Sequence, residues 1–446
     1  MAELFDLIVR GGDVVNQAGR GRADIGVSAG KIAAIGDLGQ ASAGEVMEAT
    51  GLTVLPGVID TQVHFREPGM AWKEDLETGS RAAVLGGVTS VFEMPNTDPP
   101  TSTAAALEEK LGRARGRMHC DHAFYLGATH ENAALLGELE RTPGCCGVKV
   151  FMGASTGTLL VADDEGVEQV LRHVNRRAAF HSEDEFRLAE RRPLARAGDW
   201  TSHEEVRDVQ AAVQCTERLL EIATRLGKRI HVLHVSTAQE IEILVRYKDV
   251  ATVEVTPQHL TLASPEAYER MQGLAQMNPP IRGPEHRAGL WRGIASGVVD
   301  VLGTDHAPHT LEEKAKPYPA SPSGMPGVQT LVAVMLTHVA EGRLTLERFV
   351  DLTSAGPQRI FGVAGKGRIA VGYDADLTLV DLKARRTIRH ADMATRVGWT
   401  PFDGFEATGW PMATIIRGVV VMRDGAVTAE GRGQPMRFVE TLEARA

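Results

Sequence analysis

A chain of 446 residues is too long for one small module, and long enough for two or three units of roughly 100–200 residues or for one large barrel with an appendage. Its 43% hydrophobic and 24% charged content matches ordinary globular usage, which excludes a disordered or collagen-like chain. With 48 Lys and Arg against 58 Asp and Glu the net charge is −10, so no overall basic field is available to hold a phosphate backbone, and nucleic acid is not expected as a partner. No run of about 18 apolar residues occurs, and the opening MAELFDL has neither the basic nor the apolar region of a signal peptide. A cytoplasmic protein with no membrane partner is expected. Cys120, Cys145, Cys146 and Cys215 show no CxxC spacing and no scaffold density, and read as buried filler.

In chain order, the first 55 residues carry short alternating or apolar stretches (DLIVRGGDVV, ADIGVSAGKIAAIG, GLTVLPG) broken by Gly and Asn, which read as hairpin strands. The texture then becomes apolar strand, polar loop, helix: LPGVIDTQVHF, TSVFEMPN and HCDHAFYLGA are each followed by a helical segment. Five more strands follow in GVKVFMG, RAAFHSE, RIHVLHVS, TVEVTP and VVDVLGTD, making eight. Between them, 202–226 reads as one helix opened by Ser202 and Glu205 at capping-box spacing. Eight strand–helix units predict a closed parallel barrel, a (β/α)8 TIM barrel within the α/β class, with the loops after the strands carrying the chemistry. From about 365 the hairpin texture returns in GRIAVGYDADLTLVDL, ATIIRGVVVMRDG and AVTAEGRG. The expected organisation is a barrel over 55–364 and a sheet domain shared by 1–54 and 365–446.

The chemistry-bearing residues fall at the carboxyl ends of the strands. Strand one is followed by Gln62, His64 and Arg66, strand two by Asn96, and strand four holds Lys149; strands five, six and eight offer His181, His234 and Asp305. Imidazole and carboxylate are zinc ligands, and a catalytic zinc keeps a position open for water. Lys149, buried among histidines, would lose its proton more readily, and its amine could add carbon dioxide to give an anionic carbamate that bridges metals. An acid at the end of strand eight is the expected proton shuttle, which assigns the catalytic role to Asp305.

Five strings in order, HFREPG (64–69), EMPNTDPPT (93–101), GVKVFMGASTG (147–157), MNPPIR (277–282) and GTDHAPH (303–309), make the chain resemble a dihydroorotase of the larger bacterial type, within the cyclic amidohydrolases. The resemblance runs from about residue 3 to 430. It implies a (β/α)8 barrel with a small β-sandwich made from both termini. It implies that His64 and Asp305 serve one metal position and His181 and His234 another, with carboxylated Lys149 between them. It also implies that Arg66, Asn96, Asn278 and His309 meet a small substrate bearing a free carboxylate. The reaction would be the interconversion of N-carbamoyl-L-aspartate and L-dihydroorotate in pyrimidine synthesis. A homo-oligomer, alone or joined to another pyrimidine enzyme, is expected.

The family usually has His-x-His after strand one, and here Gln62 replaces the first His. A neutral amide is a weaker zinc ligand than imidazole. One tightly held zinc beside Lys149, His181 and His234 is therefore expected, with the second position weakly filled or empty. Gln258, in TPQHL, stands where His is usual. Taken singly, each residue has a plainer reading: a hydrogen-bonded structural His, a rim lysine reaching solvent at 149, an ion-paired Arg66, a turn residue at Asn96, a loop cap at Asp305. Their joint placement at successive strand ends favours the chemical one. His203, His231 and His259 read as structural, and Glu183-Asp184-Glu185 as a solvated run or loop tether. Allantoinase or a dihydropyrimidinase or hydantoinase would share Lys149, His181, His234 and Asp305, and a catalytically silent structural partner of another pyrimidine enzyme is the reading that Gln62 raises.

Overall fold

The computed structural model describes residues 4–155 and 158–442, so Thr156 and Gly157, the end of the GVKVFMGASTG string, lie outside the described residues. Five strands come first: β1 (Leu4–Asn16), β2 (Gly19–Ser28), β3 (Lys31–Gly36), β4 (Ser42–Glu48) and β5 (Thr53–Pro56). Eight parallel strands follow: β6 (Val58–Val63), β7 (Val88–Glu93), β8 (Asp121–Gly127), β9 (Cys145–Phe151), β10 (Ala178–His181), β11 (Ile230–Val232), β12 (Ala251–Val255) and β13 (Val301–Leu302), each beside the one before it. Val63 bridges His306, and the His64 N–H donates to the His306 carbonyl at 2.7 Å, which closes the ring. These are the eight expected strands of a (β/α)8 barrel. Their near-continuous apolar runs follow from burial on both faces: Val58, Val88, Val148 and Val253 pack outward under helices, while Ile59, Phe92, Tyr125, Ala179 and Leu233 fill the interior.

Crossover helices begin where Asp or Thr accepts an otherwise unpaired N–H. Asp75 caps Leu76–Leu85, Thr103 caps Ala104–Ala114, Asp163 caps Asp164–His173 and Thr237 caps Ala238–Leu244. Each such cap contributes about 1 kcal/mol. The single helix expected over 202–226 is instead two, Ser202–Val206 and Val209–Leu226. The capping box at Ser202 and Glu205 does not form: the Ser202 hydroxyl donates to the Asp199 carbonyl at 2.6 Å, and Glu205 accepts from Arg196. The break lies at Arg207 and Asp208. Arg207 turns inward to a buried carboxylate, and Asp208 caps the second helix by accepting from the Ala211 N–H at 3.0 Å.

Past the barrel, β14 (Leu377–Thr387), β15 (Glu406–Ile416), β16 (Val419–Arg423) and β17 (Ala426–Val427) join the first five strands in one nine-stranded sheet, ordered β17-β16-β15-β14-β5-β1-β2-β3 with β4 also on β1. Ile32 on β3 and Ala413 on β15 share one core with Leu7, Val54 and Leu377, so the sheet curls over on itself. The sheet meets the barrel through buried charges: Lys366 Nζ donates to Asp121 at 2.6 Å and pairs with Asp376, and Arg417 pairs with Asp121. Residues 388–405, part of the expected sheet domain, leave the sheet and cross the barrel, where Ile388, Trp399 and Phe402 pack with Tyr268, Met277 and Met325. The four cysteines are buried and unpaired, as expected. No described helix is long and apolar enough to cross a membrane.

Candidate active site

Two local irregularities turn the site residues inward. Between Asp60 and Val63 the register of β6 against β7 slips, so that Ile59 packs inside, Val63 outside, and the strand exits with His64 facing the centre. On β9 the register against β8 slips between Phe124 and Tyr125, and Gly147 takes φ +141°, a conformation side chains rarely adopt. This bulge changes the phase of the strand and places Lys149 in the interior between the outward Val148 and Val150. Arg66, His234 and Asp305 sit at φ +61°, +36° and +46°, three of the seven non-glycine residues with positive φ among those described. Strain of this kind persists where surrounding structure over-determines it, and it concentrates at functional sites.

His181, at the end of β10, donates from Nε2 to Glu183 Oε2 at 2.9 Å, so the lone pair is on Nδ1, which faces His234 Nε2 at 3.1 Å. Burial lowers the His181 pKa despite Glu183, favouring neutral imidazole. Glu183 is buried, accepts from Arg207 Nε at 3.1 Å and Nη2 at 2.5 Å, and is held ionised well below the usual carboxylate range because Arg207 and His181 outweigh its burial. The reading of Glu183 as solvated is thus corrected: it orients His181. The spacing His181-x-Glu183 on an emerging strand was the available signal. Asp184, by contrast, caps the following helix, and Glu185 tethers the loop by accepting from the Ala154 N–H at 2.6 Å.

Lys149 is fully buried, its Nζ has no hydrogen-bond partner, and it lies 4.5 Å from the centre of the Phe151 ring. Burial, opposed by Asp305 and Glu254, brings its pKa down to about 7. Its charge lies near enough to His64, His181 and His234 to oppose protonation of each. Glu254, on β12, was not singled out from sequence. Burial raises its pKa to about 8 although Thr61 Oγ1 donates to it at 2.5 Å.

His64 donates from Nε2 to Asp305 Oδ1 at 3.0 Å, and its Nδ1 meets the side-chain amide of Asn96 at 2.7 Å. Gln62 Nε2 donates to the same oxygen at 2.9 Å. Asn96 is therefore in contact with His64, a role beyond its expected substrate contact. Arg66 is 1% exposed, touches Pro308 O through Nε at 3.3 Å, has no partner for Nη1, and makes no ion pair among the described residues. Burial lowers its pKa to about 10, where it stays charged. His309 lies 3.3 Å from Arg66 Nη2. Lys73, another group missed in sequence, donates to His309 Nδ1 at 3.0 Å, so His309 Nε2 carries the proton and donates to Ser323 O at 3.0 Å. Asn278 Oδ1 accepts from His203 Nε2 at 3.1 Å, beside a cleft of about 550 Å³ lined also by Ala154, Arg207, Tyr318 and Ser323. His203 and His259 hold backbone carbonyls at Met277, Pro279 and Pro280, consistent with structural roles.

The amidohydrolase family model matches residues 53–421. The chain belongs to the amidohydrolase family. Dihydroorotase of Methanosarcina mazei is 38% identical over 430 residues, covering 92% of this chain and 93% of its own. L-hydantoinase of Paenarthrobacter aurescens is 32% identical over 449 residues, covering 97% and 98%. The solved structure of L-hydantoinase (dihydropyrimidinase) from Arthrobacter aurescens superposes with a TM-score of 0.93 at 31% identity, covering 97% of this chain and 99% of that one. This amidohydrolase is accordingly an enzyme, a hydrolase of cyclic amides.

The metal that the family implies finds a fitting donor set. Two nitrogens on a tetrahedral zinc with bonds of about 2.0–2.1 Å stand about 3.3 Å apart, and His181 Nδ1 and His234 Nε2 are 3.1 Å apart. Among the described residues no three His, Cys, Asp or Glu side chains converge on one point. The missing anionic ligand is what a carbamate on the orphaned Lys149 amine would supply.

Proposed function

We propose that this amidohydrolase is a zinc-dependent dihydroorotase, interconverting N-carbamoyl-L-aspartate and L-dihydroorotate. The observation that carries the reading is Arg66: a buried guanidinium with an unpartnered Nη1 and no carboxylate in ion-pair reach among the described residues. Asp305, Glu93, Glu313 and Glu74 act on it only from beyond ion-pair distance, a buried cation without a direct partner is costly, and a substrate carboxylate would supply that partner. The relatives from several archaea named dihydroorotase, at 34–38% identity, support the same choice.

His181, His234 and carboxylated Lys149 would hold the zinc, which when bound acidifies water and polarises a carbonyl. Glu183 keeps the His181 lone pair on Nδ1 throughout. Asp305, held by Gln62 and His64, takes the proton of the attacking water and returns it to the departing ring nitrogen; in ring closure it takes the carbamoyl N–H proton and gives it to the departing hydroxyl. Arg66 receives the free carboxylate, and His309, Asn96 and Asn278 complete the pocket.

The likeness to L-hydantoinase favours a second reading, a hydantoinase or dihydropyrimidinase, whose substrates lack that carboxylate. One assay separates them: turnover of dihydroorotate, carbamoyl-aspartate, hydantoin and dihydrouracil by purified protein of known zinc content. Dihydroorotate is expected to react fastest. Arg66→Lys, which replaces a fork by a point charge, is expected to lower kcat/KM for it by about 10- to 100-fold. Faster turnover of hydantoin or dihydrouracil by the wild type overturns the assignment.

A further inference from the structure

The two places where this chain departs from the strings it otherwise follows, Gln62 and Gln258, meet at one dipeptide. Gln62 Nε2 donates to Asp305 Oδ1 at 2.9 Å, and Gln258 Nε2 donates to the carbonyl of the preceding Thr304 at 2.8 Å. Thr304 is held further by Asp60, which accepts from its N–H at 2.9 Å and its hydroxyl at 2.5 Å. Both glutamines are buried, and the Oε1 of each lacks a partner. His64 donates from Nε2 to the same Asp305 oxygen at 3.0 Å, so that oxygen accepts two buried N–H groups.

We propose that Gln62 takes the place of a second metal ion, its amide N–H holding the Asp305 carboxylate beside His64, so that the site carries a single zinc. The inference rests on the zinc-enzyme reading and deepens it. A carboxylate oxygen that accepts a buried N–H needs no cation to satisfy it. For a metal to enter between His64 and Asp305, that hydrogen bond must break and the amide must turn its oxygen inward, and the ligand so gained is weaker than the imidazole it replaces. Two cations at the usual separation of about 3.5–4 Å also repel unless their ligands neutralise them. The second position is thereby weakened by about 10- to 100-fold, the worth of one hydrogen bond to a charged group. Gln258 holds the Thr304 carbonyl next to Asp305, whose backbone is left-handed at φ +46°.

The test is metal stoichiometry on the full chain. Protein stripped by a chelator is titrated with zinc, and in parallel with cobalt(II), whose paired ions reveal themselves by magnetic coupling in electron paramagnetic resonance. The wild type is expected to take one zinc tightly and to show no coupled cobalt at two equivalents. Gln62→His, and independently the isosteric Gln62→Glu, are expected to strengthen the second site at least about 10-fold and to bring up the coupled signal. Two equally tight zincs in the wild type overturn the proposal but leave the zinc-enzyme reading standing. Failure to bind any zinc overturns both. Folded variants that still hold one ion show that Gln62 does not set the stoichiometry.

Discussion

Replacing Glu183 by Gln preserves shape and removes one charge from the buried chain that runs from Arg207 through Glu183 to His181. Glu183 is fully buried and accepts from His181 Nε2 at 2.9 Å and from Arg207 at 3.1 and 2.5 Å. Arg207 is itself nearly buried. Removing one partner of a buried ion pair strands the other and costs about 3–5 kcal/mol. A second effect follows from orientation: a neutral amide neither fixes the His181 tautomer nor raises its basicity, and loss of such a partner weakens metal affinity by about 10- to 100-fold. Chemical denaturation of metal-free protein measures the first effect, and zinc titration of folded protein the second. The double variant Glu183→Gln/Arg207→Met separates them, because it removes the stranded cation and should recover stability without recovering zinc affinity. If zinc binds the single variant as tightly as the wild type, or if affinity returns together with stability in the double variant, Glu183 is a counter-ion of Arg207 and nothing more.

Lys149→Ala should lose zinc and activity together, with a short carboxylic acid partly restoring both by supplying the missing oxygens; an unmodified lysine in a native intact-mass or high-resolution structural measurement of active wild-type protein would refute the carbamate. Trp399 is fully buried and donates from Nε1 to the His309 carbonyl at 2.8 Å, so Trp399→Phe leaves that carbonyl unpaired at a cost of about 1–3 kcal/mol; KM for dihydroorotate should rise while kcat holds, and the opposite split would show that Trp399 does not position His309 for substrate binding. Burial raises the Glu67 pKa, but Arg117 and the Leu76 N–H outweigh it and leave the carboxyl below its ordinary value. Such a depressed carboxyl stabilises the fold above its unfolded pKa of about 4.3, and the contribution fades as pH falls through the folded value. Arg117→Met should therefore move the acid-unfolding midpoint to higher pH in thermal melts; an unchanged midpoint would show that Glu67 is held by other groups.

The barrel was legible because strands covered on both faces must be apolar throughout, and eight such runs with helices between them have one economical closure. The positions of His64, Lys149, His181, His234 and Asp305 along the strands were legible because each belongs to or follows an apolar run, but the inward facing of His64 and Lys149 was not, since it depends on the register slips in β6 and β9. What could not be counted were partnerships made by closure. Glu183 looked like part of a solvated acidic run because its cation, Arg207, arrives 24 residues later through a helix break that no local periodicity announces. Lys73 reaches His309 across 236 residues, and Trp399 reaches it from 388–405, a segment included in the expected sheet domain 365–446 although none of the strand-like stretches covers it. The pairing of Gln62 with Asp305 spans 243 residues and exists because β6 and β13 are the two ends of the closed ring. Local sterics and burial patterns are properties of short stretches of chain and so are written in the sequence. Which buried charge meets which, and on which nitrogen a histidine keeps its proton, depends on distances that only the folded barrel defines.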